Sequence, residues 1–176
     1  YVAHDGALGE ATFSVYASYG DEQIKEEIEK AKKKANIIAN QPYSLPENEQ
    51  GEYVSASNFA SYNSHELASL ISDACFEADN VENGSINALE IFVYKDIIKV
   101  TNSRGIDKTK IKYRAMVEAI PTFNGAESVE LYEQYNFTEF DRKLVVEEIA
   151  KKMREVKDRY EAKPPVAKLF CPVVLD

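Results

Sequence analysis

The chain has 176 residues, of which 44% are hydrophobic and 29% charged, a composition typical of a globular domain and unlike that of a disordered or fibrous chain. Its 21 basic and 30 acidic residues give a formal charge of −9, which disfavours direct binding to the phosphates of nucleic acid. We find neither a signal peptide nor the run of roughly 18 apolar residues that a membrane span requires, so we expect a cytoplasmic protein with no membrane partner.

The first third of the chain predicts one strand and one helix. Apolar and polar side chains alternate over residues 11–19, which predicts a β-strand. Asp21 is a suitable N-cap for a helix through about Asn40, with apolar residues every three or four positions. The segment from Gln41 to Tyr62 has no clean periodicity, and a connection of this length is a binding loop, a domain crossover or a surface excursion.

The middle of the chain predicts a second helix and a run of strands. Ser64 is a candidate N-cap for this helix, which we expect to end near Asn83-Gly84. Its predicted buried face consists of Leu67, Leu70, Ile71, Ala74, Cys75 and Ala78. The expected strands are Ala88–Tyr94, Ile97–Thr101, Lys110–Ile120 and Glu127–Tyr135. Lys95-Asp96 would join the first two strands as a tight hairpin. Alternation along the third strand predicts a half-exposed antiparallel sheet, with Tyr113, Ala115, Val117 and Ala119 on one side and Lys112, Arg114, Met116 and Glu118 on the other.

The last part of the chain predicts a third helix and a final strand. The helix would open at Thr138 or Glu139 and run to about Glu161, before a pair of prolines. Its predicted apolar stripe consists of Val145, Ile149, Met153, Val156 and Tyr160. Val166–Leu175 is apolar on both faces, so we expect a strand that packs into the sheet or drives self-association. This order predicts an α+β fold with a mostly antiparallel sheet and three main helices. The length predicts a single domain over residues 1–176, and from its start at Tyr1 and its apolar final run we expect it to be part of a longer protein.

A zinc site is the first chemistry to consider, because His65-Glu66 opens a helical segment. A zinc peptidase helix requires a second imidazole one turn later, and Ser69 stands there instead. His4 is the other histidine and has no triad-like context. The two cysteines, Cys75 and Cys171, are too few for a zinc site or a disulfide framework, so we expect two buried free thiols.

A carboxylate pair is the second possibility. The strands carry several glutamates that alternate with apolar residues: Glu118, Glu127, Glu130 and Glu133. Such a pattern is more typical of solvent-facing charge than of a general acid and base. No glycine-rich phosphate loop occurs either. We therefore assign no catalytic, cofactor-binding or metal residue in this chain.

Several stretches follow one another in a familiar order: Leu8–Val15, Tyr43–Glu47, Val100–Asp107, Tyr113–Ala119, Glu127–Tyr132 and Pro165–Phe170. Together they resemble the N-terminal region of the TldD/PmbA family, the so-called modulators of DNA gyrase. The likeness covers most of the chain. The upstream part and the Asn-Ser-Arg-Gly turn at 102–105 look more like the PmbA (TldE) branch than the TldD branch.

The resemblance implies a cytoplasmic prokaryotic protein much longer than this chain. TldD-type subunits are zinc metallopeptidases that cleave unfolded peptides inside a closed dimer, with the zinc motif in their C-terminal region. PmbA-type subunits lack that motif and pair with the TldD type. The resemblance therefore predicts an N-terminal domain, inactive alone and without zinc, that helps to enclose an unfolded peptide and to assemble a dimer with itself or a TldD/PmbA-type subunit.

Two other functions remain open from the residues themselves. One is a binding or regulatory module unrelated to proteolysis. The other is a small enzyme that uses the strands of Glu118 and Glu130. A His-Glu-x-x-x-His string further along the full-length protein would indicate the TldD branch, and its absence would indicate the PmbA branch.

Overall fold

The computed structural model describes residues 1–168 and 170–172. The chain divides into two compact units, one of residues 1–49 with 102–106, and one of residues 50–101 with 107–176. Three helices and mostly antiparallel strands confirm the predicted α+β class. The assignment of residues 1–176 to a single domain stays a prediction.

The first unit contains a small hairpin and a helix. Strands β1 (Val2–His4) and β2 (Ala7–Gly9) pair antiparallel around Asp5-Gly6, where both φ angles are positive, as a primed turn requires. Helix α1 (Asp21–Ala35) starts with acidic residues and ends with lysines, an order that suits the helix dipole. Its N-cap is Gly20 and not the predicted Asp21, and it ends five residues before Asn40.

The second unit is a sheet built on one long hairpin. Strands β4 (Gly84–Thr101) and β5 (Asp107–Asn124) pair antiparallel along their whole length. The other side of β5 carries three short strands: β3 (Gln50–Val54), parallel to it, and the antiparallel β6 (Ser128–Glu130) and β7 (Glu133–Phe137). Strand β4 is therefore an edge of the sheet among the described residues.

Two helices cover one face of this sheet. Helix α2 (Ser64–Glu77) and helix α3 (Arg142–Glu161) bury the apolar stripes that the sequence predicts. These side chains meet the alternate β5 residues Ala115, Val117 and Ala119, which are fully buried. Burial of a large aliphatic side chain stabilises a fold by roughly 1.5–3 kcal/mol, so this layer holds the unit together.

The predicted caps of α2 and α3 are wrong by a few residues. Asn63, not Ser64, accepts the hydrogen bond from the backbone N–H of Glu66. Asp141, not Thr138 or Glu139, caps α3 through the N–H of Leu144. Several residues near each helix start have side chains that can accept such a bond, and the tertiary structure selects among them.

The predicted hairpin at Lys95-Asp96 is wrong. Both residues lie inside the continuous strand β4, opposite Tyr113 and Lys112 of β5. The chain reverses at 102–106 instead, where Gly105 has φ +89°. A two-residue hairpin turn requires positive φ at its central residues, which glycine adopts without strain and lysine does not.

The strand predicted for residues 11–19 is also wrong, since this segment has no strand partner in the described chain. Two side chains of the predicted apolar face, Phe13 and Val15, are 38% and 55% exposed, although that face alternates with polar residues in the sequence. Alternation predicts a strand only where one face becomes buried.

The segment Gln41–Tyr62, predicted to lack regular structure, contains β3 and a short 3₁₀ helix, Asn58–Ser61. The strand predicted for Glu127–Tyr135 is divided into β6 and β7.

The predicted final strand, Val166–Leu175, lies partly outside the described residues, which exclude Leu169 and 173–176. Its described residues form no strand, and Val166 and Phe170 are almost fully exposed. Pro172 has no N–H to donate to a neighbouring strand.

Candidate functional site

The sheet has one covered face and one face that the helices leave open. Residues paired across neighbouring strands share a face, so the register assigns each side chain to one of the two. We call the uncovered side the open face. Its residues include Tyr53 of β3; Glu90, Phe92, Tyr94, Asp96, Ile98 and Val100 of β4; and Lys108, Lys110, Lys112, Arg114, Met116 and Glu118 of β5.

A groove of about 410 Å³ lies at the end of the open face where β4 ends and β5 begins. Tyr53, Ile98 and Val100 contribute apolar surface to it and are 61%, 45% and 55% exposed. Gly51, opposite Lys108, has φ +133°, and no atom lies within 4 Å of the position that a Cβ would occupy there. Apolar side chains left this exposed in one place are typical of a surface that binds a partner.

Basic side chains line the same face at every second position of β5: Lys108, Lys110, Lys112 and Arg114. Arg114 stacks on Tyr94, with 3.7 Å between the guanidinium carbon and the ring centroid. The ammonium of Lys110 lies 5.8 Å from the centroid of the Tyr53 ring. Aromatic rings therefore support two of these cations.

Asp96 is the carboxylate that the register places among these cations. Arg114 donates a hydrogen bond of 3.1 Å from Nε to Asp96, and the Nζ of Lys112 lies 3.7 Å from the same carboxylate oxygen. Two cations thus share one carboxylate. This half of the face is basic, although the whole chain carries −9.

The other half of the open face is acidic. Glu90 of β4 and Glu118 of β5 lie directly opposite each other. A hydrogen bond with Glu118 raises the pKa of Tyr132, which is exposed. Like charges opposite each other destabilise a sheet, so a hydrogen-bond donor or a cation near Glu90 and Glu118 would reduce their repulsion.

The candidate catalytic residues from the sequence do not form one cluster. Glu118 is on the open face, whereas Glu133 lies opposite Ala119 on the helix-covered face, where Lys152 Nζ is 2.7 Å from it. Glu130 accepts a hydrogen bond of 3.0 Å from Asn87, and Glu127 is exposed.

The histidines and cysteines do not cluster either. His65 is exposed on the first turn of α2, and His4 hydrogen-bonds the carbonyl of Ile38 in the first unit. Cys75 is buried as predicted, but Cys171 is exposed, so the prediction of two buried thiols is wrong for Cys171. Within residues 1–168 and 170–172, no three His, Cys, Asp or Glu side chains come together in a way that could hold a metal ion.

The sequence contained one signal for the basic half of the open face. Lys112, Arg114, Met116 and Glu118 alternate with apolar residues, and that alternation correctly predicts that they share a face. Tyr53 had no such signal, because it joins the face only through the parallel pairing of β3 with β5.

None of the helices in the described chain is both long and apolar enough to cross a membrane.

A comparison with solved structures finds the crystal structure of TldE from Thermococcus kodakarensis, with a TM-score of 0.51 and 19% sequence identity. The match covers 78% of this chain and only 33% of that one, so the chain spans about a third of its length. At this identity the likeness shows a shared fold. No protein-family model and no curated protein matches the chain.

Proposed function

We propose that this chain is the N-terminal domain of a cytoplasmic TldD/PmbA-type protein, closer to the PmbA (TldE) branch. The observation that supports this is the fold likeness to TldE across most of the chain. Several stretches that resemble the family in sequence also lie on neighbouring strands of one sheet, among them 113–119 and 127–132.

The proposed role of the domain is to enclose an unfolded peptide and to help assemble a dimer. Zinc and the catalytic residues would come from the C-terminal region of a TldD-type subunit, and this chain would supply no ligand. An exposed sheet face with apolar and charged side chains supports this role, since an extended chain presents side chains at the same spacing as a strand.

Complex formation with a zinc-loaded TldD-type subunit tests the proposal. We expect the full-length protein that carries this domain to form a complex of defined mass by light scattering. We also expect that complex to cleave an unfolded peptide and to spare the same sequence inside a folded protein. Absence of a complex at concentrations well above micromolar, together with unchanged cleavage by the TldD-type subunit, would contradict it.

A binding or regulatory module without a role in proteolysis is the second candidate. The open face favours it as well, because the exposed apolar groove requires no catalytic group to be useful. Two measurements separate this candidate from the first. A module without a role in proteolysis would bind its own partner equally well whether the TldD-type subunit is active, stripped of zinc or blocked in cleavage. It would also leave the rate of peptide hydrolysis unchanged.

A further inference from the structure

The cations of the open face are spaced as the side chains of an extended peptide are. Consecutive residues in a strand rise about 3.3–3.4 Å, so Lys108, Lys110, Lys112 and Arg114 recur at roughly 7 Å along β5. A peptide in extended conformation presents every second side chain to the same side at the same interval. A segment lying along β5 can therefore meet one cation with each side chain that faces the sheet.

The surroundings of the cations suit carboxylates next to apolar groups. Ile98 and Val100 lie beside Lys110 and Lys108 in the register, and they line the groove together with Tyr53. Carboxylate partners would also relieve the crowding of Lys112 and Arg114 around the single carboxylate of Asp96.

A polyanion such as single-stranded nucleic acid fits this face less well. Glu90 and Glu118 continue the same face beyond Arg114 and would repel a phosphate backbone that followed the strand. The net charge of −9 opposes the approach of a long polyanion from any side. A short extended peptide with a few acidic residues carries less charge and can end before Glu90 and Glu118, so both penalties are smaller for it.

We propose that the basic half of the open face is a specificity site that selects acidic side chains at alternate positions of an extended peptide. This inference rests on the proposed function, because it takes an unfolded peptide as the occupant. Lys110 and Lys112 bind the carboxylates, and Tyr53, Ile98 and Val100 accept apolar groups beside them.

Fluorescence anisotropy with three labelled probes tests the inference on the intact chain. The first probe is a short peptide that alternates glutamate with valine, the second has glutamine in place of glutamate, and the third is oligothymidylate. At low salt we expect the glutamate peptide to bind about tenfold more tightly than the glutamine peptide. Added salt should shrink this difference, since the charges are exposed.

Two double variants of equal charge locate the site. Lys110→Gln with Lys112→Gln should reduce binding of the glutamate peptide to the level of the glutamine peptide. Lys95→Gln with Lys99→Gln removes the same charge from the opposite face of β4 and should leave binding within twofold of the unchanged chain. Lys110→Arg should retain binding, and the melting curve of each variant checks that it is folded.

The outcomes separate this inference from the function beneath it. Equal binding of both peptides, or equal loss in both double variants, overturns the selection of acidic residues and leaves peptide enclosure standing. Tighter binding of oligothymidylate than of either peptide overturns it in favour of nucleic acid. If neither peptide binds, the specificity site is refuted, and complex formation with the TldD-type subunit then decides the proposed function separately.

Discussion

Arg104 donates two hydrogen bonds, from Nε and from a terminal guanidinium nitrogen, to one carboxylate oxygen of Glu47. Beside this pair, the side chain of Asn102 donates to the carbonyl of Pro46, and the N–H of Asn48 donates to the carbonyl of Arg104. Two of the stretches that carry the family resemblance, 43–47 and 102–105, are therefore in direct contact within the first unit.

Replacement of Arg104 by alanine should loosen this contact without unfolding the chain. Both side chains are about half exposed, so the pair stabilises the protein by less than about 1 kcal/mol. We expect faster amide hydrogen exchange at 47–48 and 102–106 with an almost unchanged melting temperature. Arg104→Lys keeps the charge and loses the forked geometry, so its exchange rates should lie between those of the unchanged chain and of Arg104→Ala. Unchanged exchange in Arg104→Ala would contradict the prediction.

Gly9→Ala should destabilise the first unit strongly. A Cβ at this position would lie 1.8 Å from the carbonyl oxygen of Ala35, and backbone atoms cannot move aside as a side-chain end can. Gly20→Ala is the matched control, because no atom lies within 4 Å of its added Cβ. We expect lost protection from hydrogen exchange across β1, β2 and α1 in the first variant only. Similar protection in both would show that β2 and α1 are less tightly packed.

Ile149→Ala should lower the free energy of unfolding by about 2–5 kcal/mol, since this side chain is 1% exposed between the sheet and α2. Leu144→Ala on the same helix removes as large a side chain from a site that is 42% exposed, and we expect a loss below about 1 kcal/mol. Urea titration monitored by circular dichroism gives both values. Equal losses would mean that the helix does not pack through the predicted stripe.

Cys75 should resist thiol reagents in the folded protein. Burial raises the pKa of its thiol to about 12, so almost no thiolate forms near neutral pH. Cys171 is exposed, so a chromogenic disulfide should label one thiol in the native state and both in denaturant. Rapid labelling of both in the native state would place Cys75 at the surface.

The same burial gives a pH dependence of stability. The unfolded thiol ionises near its ordinary pKa of about 8.5, whereas the folded thiol stays neutral to about 12. The contribution of Cys75 to stability is therefore complete below pH 8.5 and is lost as pH rises towards 12. The difference in unfolding free energy between the unchanged chain and Cys75→Ala, measured by urea titration, should shrink over that range and stay constant below it.

The chain should bind no stoichiometric zinc. It contains two histidines and two cysteines without ligand spacing, and His65 lacks a second imidazole one turn away. Metal analysis of protein purified without a histidine tag measures this directly. One tightly held zinc per chain would contradict the assignment of the zinc chemistry to a partner subunit.

The sequence by itself determined the helices α2 and α3, the long strand β5 and the sides on which they are buried. The stripes of α2 and α3, and the alternation of Ala115, Val117 and Ala119, could be read because burial of one face leaves a period of 3.6 or 2 in the residues themselves. The α+β class followed from the order of these elements.

Only the tertiary structure decided which elements pair and where strands end. The parallel pairing of β3 with β5 brings Tyr53 beside Lys110, and no local pattern encodes a contact between residues so distant in sequence. Continuous pairing with β5 likewise carries β4 through Lys95-Asp96, where propensity favoured a turn. Cross-strand hydrogen bonds and packing outweigh local preference in a sheet, and for this reason the open face became visible only once the strands were paired.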